Sequence, residues 1–288
     1  MYIRQLFAQK PCVFSIECFP PKVADNYPKM QQTLREMKEL APDYISVTYG
    51  AGGTAPGGIS TCQIASFIKN ELGIEPLAHL TCMGADPQKV DQVLDQLFGA
   101  GIRNVLALRG DKNPNLPLSR EFPHASDLSA YIRGKYGSFG LSGACYPEGH
   151  TESASLAQDV AMLKVKQEAG VSHLVSQLFF DNAKYYRFLN MARKAGVDLP
   201  ISAGVMPIVR QSQIQRTVAL SSASLPSAFT KMISRYQDDE ASLYQAGIEY
   251  AVNQLRDLIE GGADGVHLYA MNNPDVARQV KQGIEDLL

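Results

Sequence analysis

The chain has 288 residues, 45% of them apolar, with 27 basic and 29 acidic side chains and a formal net charge of −2. That apolar share feeds a sizeable core and argues against disorder. The mixed charges form no nucleic-acid track and no membrane-surface patch, and the length allows either two ordinary domains or one large α/β domain.

Eight short apolar segments punctuate the chain: Val13–Phe19, Tyr44–Tyr49, Pro76–Cys82, Asn104–Arg109, Phe139–Tyr146, His173–Phe180, Pro200–Met206 and Gly265–Met271. Helical periodicity fills several of the gaps, as in Val90–Leu97, Leu156–Ala169 and Tyr185–Ala195. Gly73, Gly101, Gly170 and Gly196 fall where helices should stop. Helix, glycine, buried strand and helix again is the grammar of parallel βα units. Repeated eight times, it predicts a closed (β/α)8 TIM barrel in a single domain over residues 1–288. A doubly wound sheet fits less well, because the glycine-rich Gly50-Ala-Gly-Gly-Thr54 follows the second strand and has the wrong spacing for a dinucleotide turn. Residues 207–240 exceed an ordinary connection and are expected to form an extra helical segment or a lid over the barrel mouth.

Strand alternation names the side chains that face the barrel interior. On the first strand Ser15 and Glu17 oppose Phe14, Ile16 and Cys18; on the second Ser46 and Thr48 oppose Ile45, Val47 and Tyr49. The third strand offers His79 and Thr81, the fourth Ala107 and Arg109, and the sixth Gln177. Barrel active sites lie at the carboxyl ends of the strands, where Glu17, Thr48, His79, Arg109, Asp111, Tyr146 and Gln177 would converge. Asn104-Val-Leu-Ala-Leu-Arg-Gly-Asp111 shows the design most plainly: an apolar strand ending on a cation, a glycine and an anion, with Pro114 beyond.

Each of these residues has a plainer reading beside the functional one. Glu17 is a carboxyl among apolar neighbours, a candidate general acid or one half of an ion pair. Tandem Pro20-Pro21 ends its strand and fixes the loop direction. His79 reads as a hydrogen-bonded core residue as readily as a ligand contact, and no second ligand lies at metal spacing. His150, in Tyr146-Pro-Glu-Gly-His150, sits in a loop that is either a site or merely a turn. Gln177 is an amide inside an apolar strand and must be satisfied there, by backbone or by a heterocycle edge. Lys166 reads as one of several solvated helix lysines. The five cysteines (Cys12, Cys18, Cys62, Cys82, Cys145) are scattered, which points to small buried residues in a reducing compartment. With no signal peptide and no membrane-spanning run in the sequence, a cytoplasmic protein is expected.

Taken together, Glu17-Cys-Phe-Pro-Pro-Lys, Val47-Thr-Tyr-Gly-Ala-Gly-Gly-Thr54, His79-Leu-Thr-Cys82, Leu108-Arg-Gly-Asp111, Ala125-Ser-Asp-Leu128, Tyr146-Pro-Glu-Gly-His150, Gln177-Leu-Phe-Phe-Asp181 and His267-Leu-Tyr269 resemble the methylenetetrahydrofolate reductases, in that family's order and over nearly the whole chain. The length matches the short bacterial form. The resemblance implies a barrel holding non-covalent FAD at the strand ends and a folate substrate reduced from methylene to methyl. Glu17 would be the acid that promotes opening of the methylene bridge. Asp111 would lie near the flavin pyrimidine edge and help bind the pterin, which Gln177 would also contact, and Thr48 would lie beside the flavin ring. His79, Arg109, Gly110, Ala125, Tyr146, His150, Asp159 and Lys166 match flavin-contact positions. The family also implies self-association and NAD(P)H as reductant.

Three positions depart from the family's pattern. Val165 stands where the family often has an arginine helping the FAD phosphates, Asn273 replaces a common arginine after the last strand, and Ile233 stands near the place of an aromatic that stacks against folate or nicotinamide. They raise a ferredoxin-type or flavoprotein donor as an alternative. A pterin-dependent methyltransferase barrel is a further reading, opposed by the lack of clustered cysteine ligands. A degenerate folate-binding subunit is another, opposed by Glu17, Asp111 and Gln177 occurring together.

Overall fold

In the computed structural model, which describes residues 1–49, 58–112, 118–221 and 223–288, the eight apolar segments become eight parallel strands closed in sequence order. They are β1 (Val13–Cys18), β2 (Tyr44–Val47), β3 (Glu75–Thr81), β4 (Asn104–Leu108), β5 (Gly140–Cys145), β6 (Val171–Ser176), β7 (Ile201–Val205) and β8 (Gly265–Leu268). Closure comes from β1 pairing with β8, Ser15 opposite His267. The glycine-rich Gly50–Thr54 stretch and Pro114 lie outside the described residues.

Helices α1 (Ile3–Leu6), α2 (Tyr27–Lys38), α3 (Thr61–Asn70), α4 (Pro87–Gly99), α5 (Ala125–Tyr136), α6 (Leu156–Glu168), α7 (Asn182–Lys194), α8 (Gln211–Ser221), α9 (Ser227–Tyr236), α10 (Glu240–Glu260) and α11 (Pro274–Gln282) complete the chain. The four glycines expected to stop helices all have positive φ, from 73° at Gly73 to 103° at Gly170. That backbone suits glycine and closes a helix by turning the chain into the next strand. Among the described residues no helix is long and apolar enough to cross a membrane.

Two apolar layers follow from strand alternation. Phe14, Ile16, Cys18, Ile45 and Val47 point outward into the large cluster between strands and helices. Inside the barrel a smaller cluster of Val13, Tyr44, Leu77, Leu106 and Val175 is capped from below by Ile3 and Leu6 of α1. The Ile3 amide donates to Asn104 Oδ1 at 2.9 Å, which ties that plug to β4. The interior is also polar in places: His173 sits between Ser142 Oγ at 2.9 Å and Ser202 Oγ at 3.0 Å.

Two expectations are corrected by the packing. On β4 the interior face is Leu106 and Leu108, whereas Ala107 faces the helices; Arg109 reaches the mouth only because the strand ends before it. The strand β6 stops at Ser176, and Leu178 and Phe180 leave it to pack with Phe229 of α9. Phe229 stacks on Phe180 at 4.4 Å and meets Tyr250 of α10 edge-on at 5.2 Å. Segment 207–240 thus forms α8 and α9, and Ser224 between them donates through its amide and hydroxyl to Glu148 at 3.0 and 2.5 Å.

Candidate active site

Strand ends supply the walls of a cavity of about 580 Å3 at the carboxyl end of the barrel. Glu17, Thr48, His79, Arg109, Gly110, Asp111, Tyr146, His150 and Gln177 all line it. Glu17 projects from the penultimate position of β1. Its Oε2 stands 3.8 Å from His79 Nε2 and 3.9 Å from His267 Nε2, close enough to interact but beyond hydrogen-bond length. Asn272 fixes the loop that follows: its amide accepts from Phe19 N at 3.1 Å and donates to Phe19 O at 2.9 Å. Thr48 continues the ladder, donating its amide to Cys18 O at 3.0 Å.

His79 is 7% exposed, and among the described residues its Nε2 has no hydrogen-bond partner. Burial pushes its pKa down to about 4, against a smaller opposing pull from Glu17, so the ring is neutral near pH 7. An unpaired buried nitrogen on a cavity wall is a group waiting for a ligand or a water.

The β4 end divides into an apolar wall, Leu106 and Leu108, and a charged rim. Gly110 has φ 88°, and a Cβ there would crowd Thr81 and Met83 side chains at 3.2 Å, so glycine lets the chain turn close against β3. Arg109 makes a bidentate pair with Glu152, at 2.5 and 3.0 Å, and Lys112 joins the same carboxylate at 2.9 Å. Hydrogen bonding to Arg109 first, then Lys112, holds the Glu152 pKa down at about 2. Asp111 is exposed at the rim.

Across the cavity, Tyr146 and His150 meet edge-to-face at 4.8 Å. Behind Tyr146, Lys166 turns inward instead of toward solvent: its Nζ donates to Ala144 O at 2.6 Å and lies 6.0 Å from the Tyr146 ring. Burial lowers its pKa. Asp159, 7% exposed, accepts from Ser153 Oγ at 3.1 Å through Oδ1, while its Oδ2 has no partner among the described residues. Ala125, at the start of α5, stands with Asp159 and Lys166 outside the cavity lining; its carbonyl accepts from Ser129 Oγ at 2.8 Å. Gln177 Oε1 accepts from the Leu178 amide at 2.9 Å, which fixes the orientation of the amide and turns its nitrogen donors to the cavity.

Tyr269 also lines the cavity but was assigned no role from the sequence. It lies two residues beyond His267, just past the end of β8, where its amide continues the ladder to Val205 O, so carrying the period-2 reading one residue past the strand could have found it. Its hydroxyl donates to Ser176 O at 2.7 Å. Glu152 carried no such signal, because its partner Arg109 is 43 residues away.

A family model described as Methylenetetrahydrofolate reductase matches residues 2–285. The chain belongs to the methylenetetrahydrofolate reductase family. It is 32% identical over 284 residues to Methylenetetrahydrofolate reductase (NADH) 1 of Arabidopsis thaliana, covering 94% of this chain and 48% of the plant protein. It is 30% identical over 265 residues to the 5,10-methylenetetrahydrofolate reductase of Pectobacterium carotovorum subsp. carotovorum, covering 91% and 87% respectively. The chain therefore spans about half the length of the plant reductase and most of the bacterial one. A Clostridium thermocellum protein, described as binding two copies of 5-methyl-5,6,7,8-tetrahydrofolic acid, superposes with TM-score 0.66 at 10% identity over 99% of this chain and 98% of its own; that likeness shows the barrel fold.

The departures from the family pattern have structural settings. Asn273 is the N-cap of α11, accepting from the amides of Asp275 and Val276 at 3.1 and 3.2 Å. Val165 is 42% exposed on α6, and Ile233 packs into the apolar cluster around Phe229.

Proposed function

We propose that this chain reduces the methylene bridge of 5,10-methylenetetrahydrofolate to the methyl group of 5-methyltetrahydrofolate, using non-covalent FAD and a nicotinamide. The observation that carries this reading is the convergence of Glu17, neutral His79 and the Gln177 amide on one cavity in a chain of this family. Relatives named for NADH in Arabidopsis and for NADPH in Caenorhabditis elegans support a nicotinamide donor.

The residues fit a flavin nucleotide. His79 Nε2 and Asp159 Oδ2 are buried polar atoms without partners among the described residues, and Leu106, Leu108 and Ala144 offer an apolar wall to a ring system. Thr48, Gly110, Asp111, Tyr146 and His150 would hold the cofactor in the cavity, with Ala125, Asp159 and Lys166 at its periphery, and Arg109 would meet its phosphates by exchanging Glu152 for them. FAD, when bound, supplies the hydride that the methylene carbon takes up.

The remaining chemistry belongs to the chain. Glu17 delivers its proton to folate N10 as the bond from N10 to the methylene carbon breaks; N10 keeps the electron pair, and the methylene remains on N5 as an iminium. Gln177 and Asp111 would orient the pterin by hydrogen bonds, and the segment holding α8 and α9, tied to Glu148 through Ser224, would cover the mouth and exclude water. An anaerobic visible spectrum of the purified protein, supplied with FAD, tests the reading. A flavin band that bleaches with NADH and recovers with methylenetetrahydrofolate is expected. No flavin band at all would overturn it. A band that ignores both NADH and NADPH, yet bleaches with dithionite and recovers with the folate, would assign the electrons to a protein donor.

A further inference from the structure

The floor beneath Glu17 is a hydrogen-bonded cluster that the reaction, as written above, does not use. His267 on β8 is fully buried. Its Nδ1 lies 2.7 Å from Ser15 Oγ, its Nε2 lies 3.2 Å from Ser46 Oγ, and the same Nε2 faces Glu17 Oε2 at 3.9 Å. Ser15 Oγ is also 3.1 Å from the Val266 carbonyl, to which it donates.

The Ser15 hydroxyl has one proton and two acceptors in reach, Val266 O at 3.1 Å and His267 Nδ1 at 2.7 Å, so the contacts allow either ring tautomer. Given to Val266 O, that proton leaves the 2.7 Å contact to a proton on His267 Nδ1. In that tautomer Nε2 carries one lone pair and no proton, and the Ser46 hydroxyl at 3.2 Å and the Glu17 carboxyl at 3.9 Å compete for it, so Ser46 gives way when Glu17 donates. A rotation of the Glu17 side chain brings the carboxyl within hydrogen-bond reach, and loose geometry of this kind is usual before substrate binds.

We propose that His267 is the positioning residue for the Glu17 acid: Ser15 locks its tautomer, and its Nε2 accepts the O–H of the protonated carboxyl, aiming the proton donor until folate N10 takes it. The proposal rests on Glu17 being the acid. No proton leaves Glu17 for the ring; the hydrogen bond only orients the O–H. The titratable groups facing His267 are Glu17 from β1, Tyr44 from β2 (stacked, ring centroids 6.0 Å apart), His79 from β3, His173 from β6 and Tyr269 beyond the end of its own strand at 5.0 Å. His79 and His173 are both held neutral near pH 7 by burial, which leaves Glu17 as the group whose proton the His267 lone pair can order.

Two experiments test this. Nitrogen-15 NMR of histidine-labelled protein, with the His267 signals assigned by their loss in His267→Asn, reads the tautomer directly. Nδ1–H with an unprotonated Nε2 is expected, and the reverse tautomer overturns the proposal. Rapid-reaction kinetics then compare His267→Asn, whose amide can replace Nδ1–H but not Nε2, with His267→Gln, whose amide oxygen can reach the Nε2 place. His267→Asn should slow flavin reoxidation by methylenetetrahydrofolate at least tenfold and alter its pH profile, leaving reduction by the nicotinamide or by dithionite unchanged. His267→Gln should recover most of that loss. Parent-like rates and pH profile in His267→Asn overturn the proposal, as does equal loss in both variants. Should His267→Asn fail to fold, Ser15→Ala takes its place: it frees the tautomer without touching Glu17, and an unchanged pH profile would count against the idea. Glu17→Gln separates the two claims. If it leaves folate reduction intact, the acid assignment has failed; if it abolishes reduction while His267→Asn does not, only the positioning role has failed.

Discussion

Replacing Gly204 by alanine should cost more than its one methyl group suggests. Gly204 lies on β7 between the end of β6 and Tyr269, and its amide donates to Ser176 Oγ at 2.8 Å. A Cβ would stand 2.5 Å from the Ser176 carbonyl oxygen, 2.6 Å from Tyr269 Cε2 and 3.0 Å from the Tyr269 hydroxyl. It would therefore intrude on the hydrogen bond that Tyr269 makes to that carbonyl. The carbonyl is backbone held in the barrel and cannot yield cheaply, so the ring must swing. Overpacking costs about 1–3 kcal/mol, and losing the hydrogen bond with a buried acceptor left over adds about 1–3 kcal/mol. For a domain of this size that sum lowers Tm by roughly 3–10 °C. Thermal unfolding followed by circular dichroism gives the number, and folate KM reports the displaced ring. Tyr269→Ala removes the side-chain half of the clash, so Gly204→Ala should cost less in that background. A Tm within about 1 °C of the parent, or the same cost in both backgrounds, would refute the reasoning.

Gly247→Ala tests the seat of the segment after β7. Its Cβ would lie 2.0 Å from the Ile208 carbonyl oxygen and 2.8 Å from the carbonyl carbon, both backbone, so residues 207–210 must move away from α10. Expected are a loss on the order of 3 kcal/mol in a urea titration and faster proteolysis near α8; parent-like values in both would contradict the packing. The buried histidines set a pH dependence of stability. Burial, then His267 and Arg4, hold the His173 pKa down at about 3, and burial holds His79 at about 4, below the ordinary histidine value of 6.5. The unfolded chain therefore binds more protons in that interval. Stability from these groups is fully present above 6.5 and is lost as pH falls toward the folded values, by several kcal/mol in order of magnitude. Urea midpoints at about pH 7.5 and about pH 4.5 should differ less in His173→Asn than in the parent, and parallel behaviour would exclude the effect.

Local patterning determined much of this protein. The eight strands were legible because each is a short apolar run bounded by glycine and a helical period, and barrel geometry then sent Glu17, Thr48, His79 and Gln177 to one mouth. The face of β4 was not legible. Val105, Leu106, Ala107 and Leu108 are apolar throughout, and a parallel strand buried on both sides carries no alternation to read. The pairings that shape the site were equally hidden. Arg109 with Glu152, Tyr269 with Ser176 and Gly204, and Lys166 with the Ala144 carbonyl join residues far apart in the chain. Most distant is His267 beneath Glu17, placed there when β8 closes on β1. Residue types and periods act over a few positions, whereas ring closure and strand register bring opposite ends of the chain together, so only the folded barrel decides which polar group meets which.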